Sequence, residues 1–310
     1  MATERDGFAF PDGFANVSVS NNGTLLYGRA QASPKGRFVW MDRAGKVLDT
    51  IEPPLPEDGR GFALSPDNSR IAYSKLERQG PNVWVLDLAR GAINRVTVDG
   101  GFNPIWTPDG KQLYYSTQSG IQRRSADGFG EAESIWKGSD SRSLSSVSPD
   151  GRHMLIARGG IQVLALTGTG KPEPYVQTKF IESGAVFSPD GRWVAYSSNE
   201  TGRSEVYIQG FPDHRGKWLA SSAGGFYPRW RADGKELYWT APGFTIMAAS
   251  VELKGAEVRV GRAELLSKSN GLLHIPARDG RRFLAIENDS ELPPVRPMVV
   301  IQNWAAGVGK

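Results

Sequence analysis

The 310-residue chain reads as an all-β protein: a seven-bladed β-propeller of four-stranded antiparallel blades, with a six-bladed ring as the alternative. Three observations lead there. Glycine (37) and proline (20) are frequent, aromatics make up 10%, and long runs of helix formers are absent. A turn of the form Ser-Pro-Asp-Gly recurs along the chain. Its copies are 40 to 46 residues apart, a period that matches one propeller blade of several short strands.

The copies run as follows. "VSVSNNGTLLYG" lies near Asn22, "FALSPDNSRIAYS" at Asp67, "PIWTPDGKQLYYS" at Asp109 and "SSVSPDGRHMLIA" at Asp150. "FSPDGRWVAYSSN" follows at Asp190, "PRWRADGKELYWT" at Asp233 and a degenerate "HIPARDGRRFLAIE" at Asp279. The copies at Asp109 and Asp233 agree at seven of thirteen positions.

Each copy makes physical sense as a hairpin. An apolar strand arrives, the turn reverses the chain, and an alternating strand leaves. Proline presets φ near −65°, aspartate tolerates the turn conformation and bonds turn amides, and glycine accepts positive φ. Asp190 therefore punctuates a hairpin and is not a working carboxylate. Trp106, Phe187 and Trp230 stand three residues before the turn aspartate, where neighbouring blades stack, so they are packing residues.

A third strand follows each hairpin: "RFVWMDRAG", "NVWVLDLARG", "GIQRRSADG", "GIQVLALTG", "EVYIQGFP", "TIMAASVEL" and "PMVVIQNW". A weaker fourth, such as "INRVTV" or "EPYVQT", follows in most units. No linker interrupts the series, so residues 1–310 read as one domain. The last unit ends after its third strand, and residues 1–16 are expected to supply the strand that closes the ring.

The chain has no cysteine, which excludes thiol catalysis, disulfides and cysteine metal sites. The net charge of +4 comes from interleaved acids and bases, as on a solvated surface, so no nucleic-acid partner is expected. No apolar stretch is long enough to span a membrane, and "MATERDGFAF" lacks a signal-peptide core. The protein is either cytosolic or has lost a leader or anchor. A monomer is expected.

The repeats from Phe62 to Trp304 resemble the TolB-like, WD-like propellers of bacteria. The stretch "FSPDGRWVAYSSNETGRSEVYIQGFP", with "GGFYPRWRADGKELYW" and the ending "RPMVVIQNW", is similar to propellers C-terminal to some bacterial serine/threonine kinases. The resemblance implies a binding or sensing propeller in an extracytoplasmic setting such as the periplasm. It carries over no partner residues, because it lies in the scaffold. The chain also lacks TolB's N-terminal α/β domain and any kinase motif.

The residues argue against an enzymatic reading. There is no G-x-S-x-G elbow for a propeller-linked hydrolase, and the Asp-Gly spacing of the turns does not suit a sialidase box. The three histidines, His153, His214 and His274, lie on different units without close partners, so no metal and no cofactor are expected. No catalytic residue is assigned. The enzymatic alternative is a hydrolase or lyase with an axial site around His274 and Arg229.

Binding residues concentrate on variable loops held by a rigid scaffold. The turn face repeats almost verbatim, whereas the loops that lead into each first strand differ: "PEDGRGF", "DGGFNP", "GSDSRSLSS", "TKFIESG", "AGGFYPR" and "NGLLH". This inlet face would gather Arg60, Asn103, Arg142, Phe180, Glu182, Arg203, Tyr227, Arg229 and His274. Arginines among aromatics suit a protein or peptide partner, or a small acidic ligand, there or in the central channel.

Overall fold

The computed structural model describes residues 17–19, 25–27, 36–52, 61–138, 143–157, 159–168, 170–268, 274–288 and 299–301. Its described elements are all strands, and no helix among them is long and apolar enough to cross a membrane.

Two compact units divide the chain, Gly36–Glu287 and Met1–Lys35 with Asn288–Lys310. The larger is the propeller. Blade 1 comprises Phe62–Leu64, Arg70–Glu77, Gly80–Asp87 and Ile93–Arg95. Blade 2 comprises Phe102–Trp106, Gln112–Thr117, Gly120–Ser125 and Glu133–Lys137. Blade 3 runs through Ser143–Val147, His153–Ala157, Ile161–Ala165 and Glu173–Val176. Blade 4 runs through Glu182–Phe187, Trp193–Ser198, Glu205–Gly210 and Lys217–Leu219.

Blade 5 holds Phe226–Trp230, Glu236–Ala241, the long Thr245–Lys254, and Glu264–Lys268. Its extra strand, Glu257–Val260, pairs with the far end of Thr245–Lys254 and accounts for the longest step in the repeat. Blade 6 is composite: His274–Pro276 and Arg282–Asn288 are completed by Gly36–Asp42 and Val47–Ile51.

The ring has six blades, the alternative count, and not seven. The turn copy near Asn22 belongs to a hairpin, Val17–Val19 with Leu25–Tyr27, that pairs with Val299–Ile301 as a three-stranded sheet in the smaller unit. The strand from "RFVWMDRAG", expected in a first blade, is instead the third strand of the last. It is the better partner there because Phe38, Val39, Trp40 and Met41 are all buried between blades. The "PMVVIQNW" strand pairs in the smaller unit and not with blade 6. Residues 1–16 lie outside the described residues.

Six apolar clusters fill the structure, one at each junction between neighbouring blades. Trp106, Phe187 and Trp230 are buried in three of them, as their place in the repeat predicts. Polar stitches add to the packing. The Trp106 indole donates to the Ala63 carbonyl across the blade 1–2 junction (3.0 Å), and the Arg70 guanidinium lies over the Trp106 ring at 4.7 Å.

The turns behave as read. The Ser65, Thr107 and Ser188 hydroxyls donate to Asp67, Asp109 and Asp190, each at 2.6 Å. The same aspartates accept the amides of Ser69, Lys111 and Arg192 at 3.0 to 3.1 Å. The Thr107 hydroxyl holds the Asp109 carboxyl below the usual carboxylate range, so this turn locks in its ionised form.

Candidate functional site

Counting back from each turn aspartate gives the architecture of the channel. Four residues before it stand Ala63, Ile105, Ser146, Val186, Arg229 and Ile275. All six line cavities on the axis. One cavity, about 540 Å³, lies on the turn side; the other, about 690 Å³, lies on the inlet side. They share Ala63, Leu64 and Ile275 and together form the channel.

Six residues before the turn, the first strands carry a repeated irregularity. Gly61 (φ 71°), Asn103 (φ 52°), Gly184 (φ 63°) and Tyr227 (φ 55°) all adopt the left-handed conformation. Asparagine tolerates it, but an aromatic there is an outlier. Tyr227 is held against Gly184 of the neighbouring blade, where a Cβ would stand 3.4 Å from its Cα. The kink leaves Tyr227 38% exposed at the inlet mouth.

The inlet cavity brings four of the expected residues together: Asn103, Glu182, Tyr227 and Arg229. Arg229 is the cation in a ring of positions that are otherwise small or apolar. Its Nη1 donates to the Pro228 carbonyl at 2.9 Å, and it has no carboxylate partner among the described residues. Burial in the channel pulls its pKa down from the ordinary arginine value, opposed by nearby Tyr227. Glu182 opens blade 4 and is only 5% exposed. The Thr178 hydroxyl donates to its Oε1, while its Oε2 is buried without a partner.

The other candidates fall elsewhere. Phe180 is half-buried in the preceding loop, outside the cavity wall, with the Lys179 ammonium 5.3 Å from its ring. Arg203 stands on the outer part of blade 4, where it pairs with Glu205 at 2.6 Å and caps the Ser222 carbonyl. Glu205 in turn accepts the Ser221 hydroxyl and the Gly224 amide, so this arginine belongs to a structural cradle. Arg60 and Arg142 lie outside the described residues.

His274 precedes the channel-lining Ile275 and, by strand alternation, belongs to the opposite face. It is 8% exposed, neither ring nitrogen has a hydrogen-bond partner, and burial lowers its pKa to about 4. At neutral pH it is an uncharged ring packed between strands. Among the described residues no three His, Asp or Glu side chains come together as a metal-binding group.

No family model matches the chain. A protein described as TolB from Agrobacterium tumefaciens superposes with a TM-score of 0.62 at 17% identity, covering 84% of this chain and 100% of that one. The fold is a TolB-like propeller. An oligogalacturonate lyase from Vibrio parahaemolyticus superposes with a TM-score of 0.55 at 10% identity, covering 93% of this chain and 82% of that one. Among curated proteins, YuxL of Bacillus subtilis, an uncharacterised peptidase, is 24% identical over 140 residues. That match takes in 44% of this chain, which spans only 21% of the length of that relative.

Within this propeller, reading the loops alone missed the apolar wall of the site, Ile105, Val186 and Ile275, and the anchoring hydroxyl of Thr178. The wall was present in the repeat as the position four residues before each turn.

Proposed function

We propose that this propeller is a binding module and not a catalyst, and that it holds a carboxylate-bearing ligand in the inlet half of its channel. The observation that carries the reading is Arg229. It is a guanidinium in a partly buried, mostly apolar ring, with one of its five donors on the Pro228 carbonyl and no carboxylate paired to it among the described residues. Guanidinium planes bind carboxylates bidentately, and the surrounding apolar wall strengthens such a bond. The ligand is a small acid or the acidic end of a peptide. The likeness of the repeats to propellers C-terminal to bacterial kinases fits a sensing role outside the cytoplasm.

Calorimetric titration with a panel of succinate, galacturonate, N-acetylleucine and leucine tests the reading. At least one compound should bind the wild-type protein. Arg229→Ile, which installs the residue that blade 6 carries at the same place, should weaken that binding by tenfold or more, the value of about one charge-assisted bond. Binding by none of the panel, or equal binding by the variant, would overturn it. Native mass spectrometry of the purified protein would identify a retained natural ligand.

A further inference from the structure

We infer that the ligand is zwitterionic, with a protonated amine taken by Glu182 while its carboxylate is taken by Arg229. The inference rests on the carboxylate-binding reading above and adds a second recognition point to it.

The two residues break the repeat in neighbouring blades. Eight residues before the turn aspartate, where blade 4 has Glu182, blades 1, 2, 5 and 6 have Gly59, Gly101, Gly225 and Gly271. In blades 2 and 5 that glycine is a packing requirement, since a Cβ would approach Tyr115 to 2.9 Å and Trp239 to 2.8 Å. Blade 4 instead buries a carboxylate. Arg229 likewise replaces the small or apolar residue of the other five blades at the channel-facing position.

Both side chains line one cavity, yet they do not form an ion pair with each other. A buried carboxylate oxygen without a donor is costly, and chains retain such groups where something outside the chain satisfies them. The Thr178 hydroxyl fixes one oxygen of Glu182 and leaves the other unpartnered. An ammonium group supplies the missing donors and the opposite charge. Ile105, Val186 and Ile275 line the same cavity and give an apolar wall for the body of the ligand. A free amino acid or a short peptide with both ends free has this chemistry.

The test is calorimetric titration of leucine, N-acetylleucine, leucinamide and the dipeptide Leu-Leu into the wild type, Glu182→Gln and Thr178→Val. Phenylalanine and alanine series are run in parallel, and circular dichroism confirms that each variant is folded. An amino acid or the dipeptide should bind the wild type at least about tenfold more tightly than its N-acetyl derivative, the worth of one charge-assisted hydrogen bond. Glu182→Gln should abolish that preference. Thr178→Val should reduce it. Which of the amino acid and the dipeptide binds tighter identifies the source of the zwitterion. Equal binding of leucine and N-acetylleucine by the wild type would overturn the inference and leave the carboxylate reading standing. If none of these compounds binds, the inference falls, and the succinate and galacturonate titrations alone decide the carboxylate reading.

Discussion

Replacing His274 with phenylalanine should remove a specific part of the protein's pH dependence. Blade 1 carries Phe62 at the equivalent place, so the substitution copies a residue the repeat already accommodates. In the folded protein the imidazole is buried without a partner, and its pKa falls from 6.5 to about 4. The folded-state pKa lies below the unfolded one, so the unfolded chain takes up the proton first. Stability is full above pH 6.5 and declines as pH drops through 6.5 towards about 4. Each pH unit in that window is worth about 1.4 kcal/mol per proton. The loss therefore reaches about 2 kcal/mol at pH 5 and about 3 kcal/mol below pH 4. Urea denaturation at pH 7.5, 6 and 5 measures it as the difference between wild type and His274→Phe. The two should converge or cross as pH falls, the variant staying flatter. Parallel curves would refute the placement of a neutral ring between strands.

Other outcomes follow from the way the ring closes and from the site. Phe38 is fully buried and packs its ring 4.9 Å from Phe62, so Phe38→Ala should cost about 3–5 kcal/mol in urea denaturation. A loss below about 1 kcal/mol would mean that the closing strand lies outside the cooperative unit. Arg43 makes two 3.0 Å bonds to Glu236 and a third to the Tyr238 hydroxyl across the blade 5–6 junction. Arg43→Ala should cost about 1–2 kcal/mol, and a double-mutant cycle with Glu236→Gln should show most of it as coupling. Glu182→Gln should raise the melting temperature of the ligand-free protein by a degree or two, because it removes an uncompensated buried charge. A lower melting temperature would show that the carboxylate is held for structure.

The propeller was legible because its signal is local. An aspartate marks all six turns, with a serine or threonine hydroxyl two residues before it in four and a glycine after it in five, and these turns define six hairpins. The number of blades was not legible from the same motif. The copy near Asn22 has the turn chemistry but pairs with Val299–Ile301. Which strand completes which sheet depends on pairing between residues far apart in sequence, and no local pattern encodes it. The site divides the same way. Asn103, Glu182, Tyr227 and Arg229 were found because their loops depart from the repeat. Arg203 departs from it too, but spends its charge on Glu205, a partner two residues away whose burial no sequence pattern marks. His274 looked axial because it stands one residue from a channel position; strand alternation puts it on the other face.

The composite blade sets a timetable for the newly made chain. Arg37 and Glu287, which bond to each other where the two halves of blade 6 meet, are 250 residues apart. At about 5–20 residues per second, the strand Gly36–Asp42 leaves the ribosome roughly 12 to 50 s before its partner exists. Through that interval Phe38, Val39, Trp40 and Met41 have no blade to enter, and the growing end of the ring exposes a fresh apolar face with each blade completed. Slow translation would prolong this exposure, and a chaperone that shields Gly36–Asp42 would protect the chain at its most vulnerable segment. Moving the chain ends by circular permutation to the loop before Phe62 would bring all four strands of the last blade into sequence order and abolish the wait.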